Sequence, residues 1–121
     1  VAGDFKDAMS KRIKVFIVEL INFVDMLPRD NVCTILSKQL VRSGLSIGAN
    51  FAEARAASST KDYIQYFGYS LKSANETVYW LEILVESKRC DKQKGDKLRK
   101  EANEIANILA ASIITLKKKI K

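Results

Sequence analysis

The residues of this chain that are equipped for chemistry are few, and they sit at helical spacing. Arg42, Asn50 and Glu53 follow one another in the first half, and Ser73 and Glu76 stand three apart in the second. Two carboxylates with polar neighbours are raw material for general acid–base work or a metal site. The chain has no histidine, however, and carboxylate-bridged metal bundles need more carboxylates, usually with Glu-x-x-His motifs. The same absence removes zinc-finger spacings, Cys–His nucleophile pairs and His-based acid catalysis. A phosphate-cradling glycine loop would need a Lys-Ser/Thr ending after a strand, and neither is present. No catalytic activity, cofactor or metal is therefore expected. Arg42, Asn50, Glu53, Ser73 and Glu76 read instead as a polar network or an inter-subunit contact that sets register, because carboxylates drawn out of water need partners.

The second group of charged residues is basic. Net charge is +7, with ten Lys/Arg balancing ten Asp/Glu over residues 1–87, and eleven Lys/Arg against four Asp/Glu from residue 88 onward. Lys88, Arg89, Lys92, Lys94, Lys97, Arg99 and Lys100 form one cluster, and Lys117, Lys118, Lys119 and Lys121 form another. A helix rises about 1.5 Å per residue, so Lys97 and Lys119 on one helix stand about 33 Å apart, as two separate regions. Such an excess points to an anionic partner, RNA or DNA, bound through its phosphates with strong salt dependence and little sequence choice. Aromatic interleaving of the kind that stacks single-stranded bases is missing from both regions. The competing reading is a solvated surface, with the terminal lysines favouring the negative end of a helix dipole.

The elements that must position these residues are helical. At 121 residues, 47% hydrophobic, with five glycines and one proline, the chain has the size and composition of one helical domain with a sizeable core. Phe5, Met9, Ile13, Phe16, Ile17, Leu20, Val24 and Leu27 recur at steps of three and four, predicting a helix over about residues 4–27. Val15, Val18, Ile21 and Phe23 give that helix a second apolar side. Pro28 ends it, and Asp30 or Asn31 caps a second helix over about 32–57 whose core side takes Ile35, Leu36, Leu40, Leu45, Ile47 and Phe51. Gly44, Gly48, Ala52 and Ala56 add a bare stripe on which another helix is expected to close in, since each interior glycine costs about 1 kcal/mol relative to alanine. Ser59 or Thr60 caps a third helix, about 61–88, which holds most of the aromatic mass, with Tyr69 and Tyr79 assigned to an interface. Asp91 opens a fourth over about 91–120, with Ala102, Ile105, Leu109, Ile113, Leu116 and Ile120 on its apolar side.

Short connections make consecutive helices antiparallel, hence an all-α, up-and-down four-helix bundle in a single domain spanning 1–121. No apolar run is long enough for a membrane span. The opening residues lack a basic leader and an apolar signal core, so a cytoplasmic setting with Cys33 and Cys90 as reduced thiols is expected. A disulfide joining the start of the second helix to the end of the third is the alternative.

Gln39 and Leu40, Arg42 and Ser43, Ser46 and Ile47, then Ala49, Asn50, Phe51, Ala52 and Glu53 resemble the signature of the four-helix-bundle family encoded by intervening sequences in bacterial 23S ribosomal RNA genes. Ser73, Ala74, Asn75 and Glu76, followed by Leu81, resemble that family's Ser-x-x-Glu element. The resemblance departs at Ala54 and Lys72, where the family usually carries glycine, and close packing is expected to differ there. It implies an up-and-down bundle that assembles into a homopentameric ring. It also implies kinship with the accessory protein of diversity-generating retroelements, which binds nucleic acid on a basic ring surface. The expected function is a non-enzymatic, homo-oligomeric helical scaffold with RNA- or DNA-binding basic regions. The alternative is a protein-interaction or self-assembly module with no nucleic-acid role. The partners expected are further copies of the chain, RNA or DNA, and a protein partner, with no membrane among them.

Overall fold

The computed structural model describes residues 2–120. Lys121, assigned above to the second basic region, lies outside the described residues. Four helices follow in order, α1 (Ala2–Asp25), α2 (Asn31–Arg55), α3 (Thr60–Glu86) and α4 (Lys92–Lys119), with no strand among the described residues.

Side chains fix the helix starts. Asp30 accepts from the Cys33 amide at 2.9 Å, Ser59 from the Asp62 amide at 3.1 Å, and Asp91 from the Lys94 amide at 2.9 Å. Each satisfies one amide that a helix start leaves orphaned. The helix ends are set by backbone constraints. α1 stops before Leu27 because the residue preceding Pro28 is pushed out of helical geometry, and its last amides, Met26 and Leu27, tighten onto Phe23 and Val24 at 3.1 Å each. α3 closes when Lys88 turns left-handed at φ 58° and the Arg89 amide reaches back to the Leu84 carbonyl at 3.0 Å. That backward bond caps the last turn as glycine-terminated helices do.

α3 runs closely along both α2 and α4, while α1 lies more loosely against α2 and α4. Consecutive helices run in opposite directions. Arg55 at the end of α2 reaches Asp7 near the start of α1 at 2.5 Å, and Arg12 of α1 forks onto Glu101 of α4 at 2.7 Å twice, with Glu104 at 2.5 Å. The space inside is filled by Phe16, Phe51, Phe67, Ile13, Leu20, Leu40, Ile47, Leu81, Leu84, Ile105 and Leu109, all out of water. Burying each such side chain is worth about 1.5–3 kcal/mol, which is what holds amphipathic helices of this length together.

Three sequence expectations are corrected. The bare stripe is only half as long as its spacing suggests: Gly44 and Gly48 face α1, whereas Ala52 and Ala56 are exposed. A four-residue step advances about 400°, so the stripe drifts about 40° per step and Ala56 has turned about 120° from Gly44. What fills the bare half is side chain: a Cβ on Gly44 would strike Leu20 Cδ2, and one on Gly48 would meet Ile17 Cδ1 at 2.8 Å. Ile35 and Leu45 leave the expected core for water, flanking the buried arc of α2 on opposite sides. Phe5 and Ile120, at the outer reaches of α1 and α4, are also exposed. At the two departures from the resembled signature, Ala54 is fully buried and Lys72 is exposed.

Cys33 is buried, Cys90 half-buried, and neither is bridged. Burial first, then the charges of Asp91 and Asp96, push the Cys90 thiol above its ordinary range, which works against thiolate reactivity.

Asp30 carries a pH signature. The Cys33 amide is the main cause that holds its carboxyl below the usual value of 3.8, and Arg89, 3.7 Å away, adds to it. A depressed folded-state value stabilises above the unfolded one and is lost as pH falls through the folded one. Asp30→Asn, which keeps a capping oxygen but no charge, should therefore melt below the parent at pH 6 and converge with it as pH falls through the lowered folded-state value. Thermal melts across that range measure it; a gap that stays constant with pH would rule it out.

Candidate functional site

The polar residues of the resembled signature meet along the α2–α3 seam. Arg42 pairs with Glu76 across the two helices and also donates to Gln39 Oε1 at 3.0 and 3.1 Å, while Trp80 Nε1 donates to the same Glu76 oxygen at 3.2 Å. One level along, Ser73 donates to Ser46 Oγ at 2.9 Å, and Asn50 donates to Ser46 O and Oγ at 3.0 Å each. Beneath this layer Thr77 donates to Ser43 Oγ at 2.9 Å, Ser43 to the Leu40 carbonyl at 3.1 Å, and Ser70 to the Ile47 carbonyl at 2.8 Å. Among the described residues no buried side-chain polar atom is left without a partner.

This arrangement sets register. Buried hydroxyls have to meet in pairs, so a slip of α3 along α2 would strand several of them at about 1–3 kcal/mol apiece. Glu53 stays outside the network, exposed on α2. It lies eleven positions beyond Arg42, about 16 Å along the helix from the level of Glu76, too far for the two carboxylates to share a proton or an ion. Ser70 and Thr77 are not singled out by the sequence, and Ser43 and Ser46 enter there only as residues of the resembled signature. Their signal was a run of small hydroxyls on α3 (Ser70, Ser73, Thr77) matched by Ser43, Ser46 and Asn50 on α2 at the same steps.

Apolar side chains remain in water on both flanks of α2, as a patch beside α1 and as separate residues spaced along the α3 side. Because Leu20 abuts Gly44, Ile21 and Leu45 lie at one height on the α1 flank; Leu45 is 46% exposed and neighbouring Val18 57%. On the α3 flank Ile35 is 62% exposed, and Tyr69 and Tyr79 turn outward. Their rings are braced, Tyr66 against Tyr69 with centroids 5.9 Å apart and Tyr79 against Trp80 at 5.3 Å.

The first basic cluster surrounds the α3–α4 connection, beside the α1–α2 loop. Part of it is neutralised at home: Arg89 by Asp30 at 3.7 Å, Lys92 by Asp96 at 3.0 Å, and Arg99 by the same Asp96 at 3.9 Å. Lys88, Lys94, Lys97 and Lys100 are exposed and enter no ion pair among the described residues. Lys117, Lys118 and Lys119 are exposed in the last turn of α4 at the opposite end of the bundle. No helix among the described residues is long and apolar enough to cross a membrane, and no three potential metal ligands converge among them.

The family model described as 23S rRNA-intervening sequence protein matches residues 8–111. Among solved structures, a protein of unknown function from the S23 ribosomal protein family of Bacteroides thetaiotaomicron is 33% identical, with a TM-score of 0.82 over 89% of this chain and 96% of that one. No curated protein matches.

Proposed function

Because the chain belongs to the 23S rRNA-intervening sequence protein family, we propose that it is a non-enzymatic, homo-oligomeric helical scaffold that presents basic ends to nucleic-acid backbones. One observation carries the assembly: unlike apolar surfaces left in water on different flanks of α2, the Val18–Ile21–Leu45 patch beside α1 and, on the α3 side, Ile35, Tyr79 and Tyr69 strung out along the bundle. Unlike surfaces that point in different directions favour a head-to-tail contact, and such contacts generate rings when the rotation closes. Five copies is the number the family resemblance implies. Multiplying the exposed lysines around a ring axis strengthens phosphate binding, because each neutralised phosphate releases condensed counterions.

Light scattering tests the scaffold. The chain should run at about five times its own mass, and Leu45→Glu should reduce it to one copy with helical content unchanged, since Leu45 is not part of the bundle's own core. A single copy at tens of micromolar would sink this reading. The local neutralisation of Arg89, Lys92 and Arg99 favours the second reading, a self-assembly module whose lysines only solubilise; polynucleotide binding separates the two.

A further inference from the structure

We propose that the end of the bundle opposite the α3–α4 connection holds a binding cleft for a small amphipathic monocarboxylate. Here the first turns of α1 part from the last turns of α4 and leave a cleft of about 700 Å³. That volume falls within the range of small-molecule sites. Its walls are Phe67, Tyr63, Ile108 and Leu116, with Phe5 at the side, 40% exposed. An exposed phenylalanine beside partly buried Tyr63, Ile108 and Leu116 is apolar surface that the described residues leave uncovered.

The polar complement is the hydroxyl residues Ser58, Ser59, Thr60, Ser112 and Thr115 and a single cation. Lys6 stands with Nζ 4.5 Å from the centroid of the Tyr63 ring and enters no ion pair among the described residues. The cation is thus held over the cleft by its aromatic floor, with its charge unclaimed. Around this end Lys6, Lys61, Lys117, Lys118 and Lys119 outnumber Asp4, Glu53 and Asp62, while Asp7 is occupied by Arg55. An apolar pocket with one cation at its edge fits an apolar body with a single anionic head. Of these lysines only Lys6 lines the cleft, so a polyanion would find a single charge inside it, and a cation would meet repulsion.

The site is separate from the Leu45 patch. Leu45 lies twelve positions before Ala57 at the cleft edge, about 18 Å along the helix direction, so subunit contact through Leu45 leaves the cleft open. The inference does not depend on the proposed function, and the two can fail independently.

Decanoate below its micellar concentration, titrated into the full chain by calorimetry, tests it. One decanoate should bind per chain, and decyltrimethylammonium, with the same tail and the opposite charge, should bind at least about tenfold more weakly. Ala111→Trp, at an exposed position lining the cleft, should abolish binding. Lys6→Gln should weaken decanoate about fivefold and erase the preference for the anion. Leu45→Glu should leave binding intact. No saturable decanoate binding, equal binding of the two head groups, binding undiminished in both Ala111→Trp and Lys6→Gln, or binding lost with Leu45→Glu would each overturn the proposal. Should Ala111→Trp misfold by circular dichroism, Lys6→Gln decides alone.

Discussion

Gly44→Leu is expected to cost about 3 kcal/mol of unfolding free energy, at the upper end of overpacking penalties. A bare Cβ at Gly44 already occupies the space of Leu20 Cδ2, and Leu20 is itself fully buried. The larger side chain leaves α1 the choice of moving away or turning Leu20 off its rotamer. α1 is also the helix with the slighter hold on its neighbours, so the damage should appear as its detachment. Gly44→Ala is the finer probe, because two terms oppose: about 1 kcal/mol gained in helix propensity against a methyl placed on Leu20. Leu20→Ala alone opens a cavity costing about 2–5 kcal/mol, but combined with Gly44→Leu it should fall short of the summed losses by at least about 1 kcal/mol. Urea unfolding of the four variants measures the cycle, and strict additivity would mean that Leu20 is not lodged on Gly44. Ala52→Leu, on the same nominal stripe but in water, should move stability by less than about 0.5 kcal/mol.

Duplex RNA or DNA should bind at low salt and let go steeply. With the four lysines that enter no ion pair in the first cluster, Lys88, Lys94, Lys97 and Lys100, each neutralising one phosphate, the salt exponent is about −3.6. Affinity per chain should then fall about 150-fold between 50 and 200 mM salt. Sequence should matter little, because contacts to phosphates position a protein without reading bases. The triple substitution Lys94→Glu, Lys97→Glu, Lys100→Glu should flatten the salt dependence and remove most binding. It spares Arg89, Lys92 and Arg99, whose ion pairs with Asp30 and Asp96 belong to the bundle. Glutamate and lysine have similar helix propensity, so α4 should survive the change. Absence of binding at 50 mM, or binding indifferent to the triple reversal, would leave the lysines as solubilising charge.

The helices and their starts were legible because both are local. Apolar residues at steps of three and four marked each helix, and Asp30, Ser59 and Asp91 stand where capping chemistry wants them. The polar site was legible in part. Arg42, Asn50, Ser73 and Glu76 do come together, but the hydroxyls beneath them passed as gaps in an apolar pattern, because a serine shows its partner only when the facing helix is in place. Glu53 shares the spacing of its neighbours and none of their contacts, since it projects from α2 beyond the reach of the α3 residues paired there.

Residue order by itself determined that four amphipathic helices form, where three of them begin, and that the charge excess collects on α4 and the connection before it. These follow from spacing along one chain. Only the tertiary structure decided which neighbour lies on which flank of α2: α1 against Gly44 and Gly48, α3 against Ser43 and Ser46, with Ile35 and Leu45 left in water and Ala52 and Ala56 carried off the seam. A period of 3.6 residues defines the apolar arc of a helix to within a side chain or so, but not how adjacent helices divide that arc or where they part. That division is set by how knobs such as Leu20 and Ile17 fit the gaps opposite, and the parting of α1 from α4 is what leaves Phe5 and Lys6 at the mouth of an open cleft.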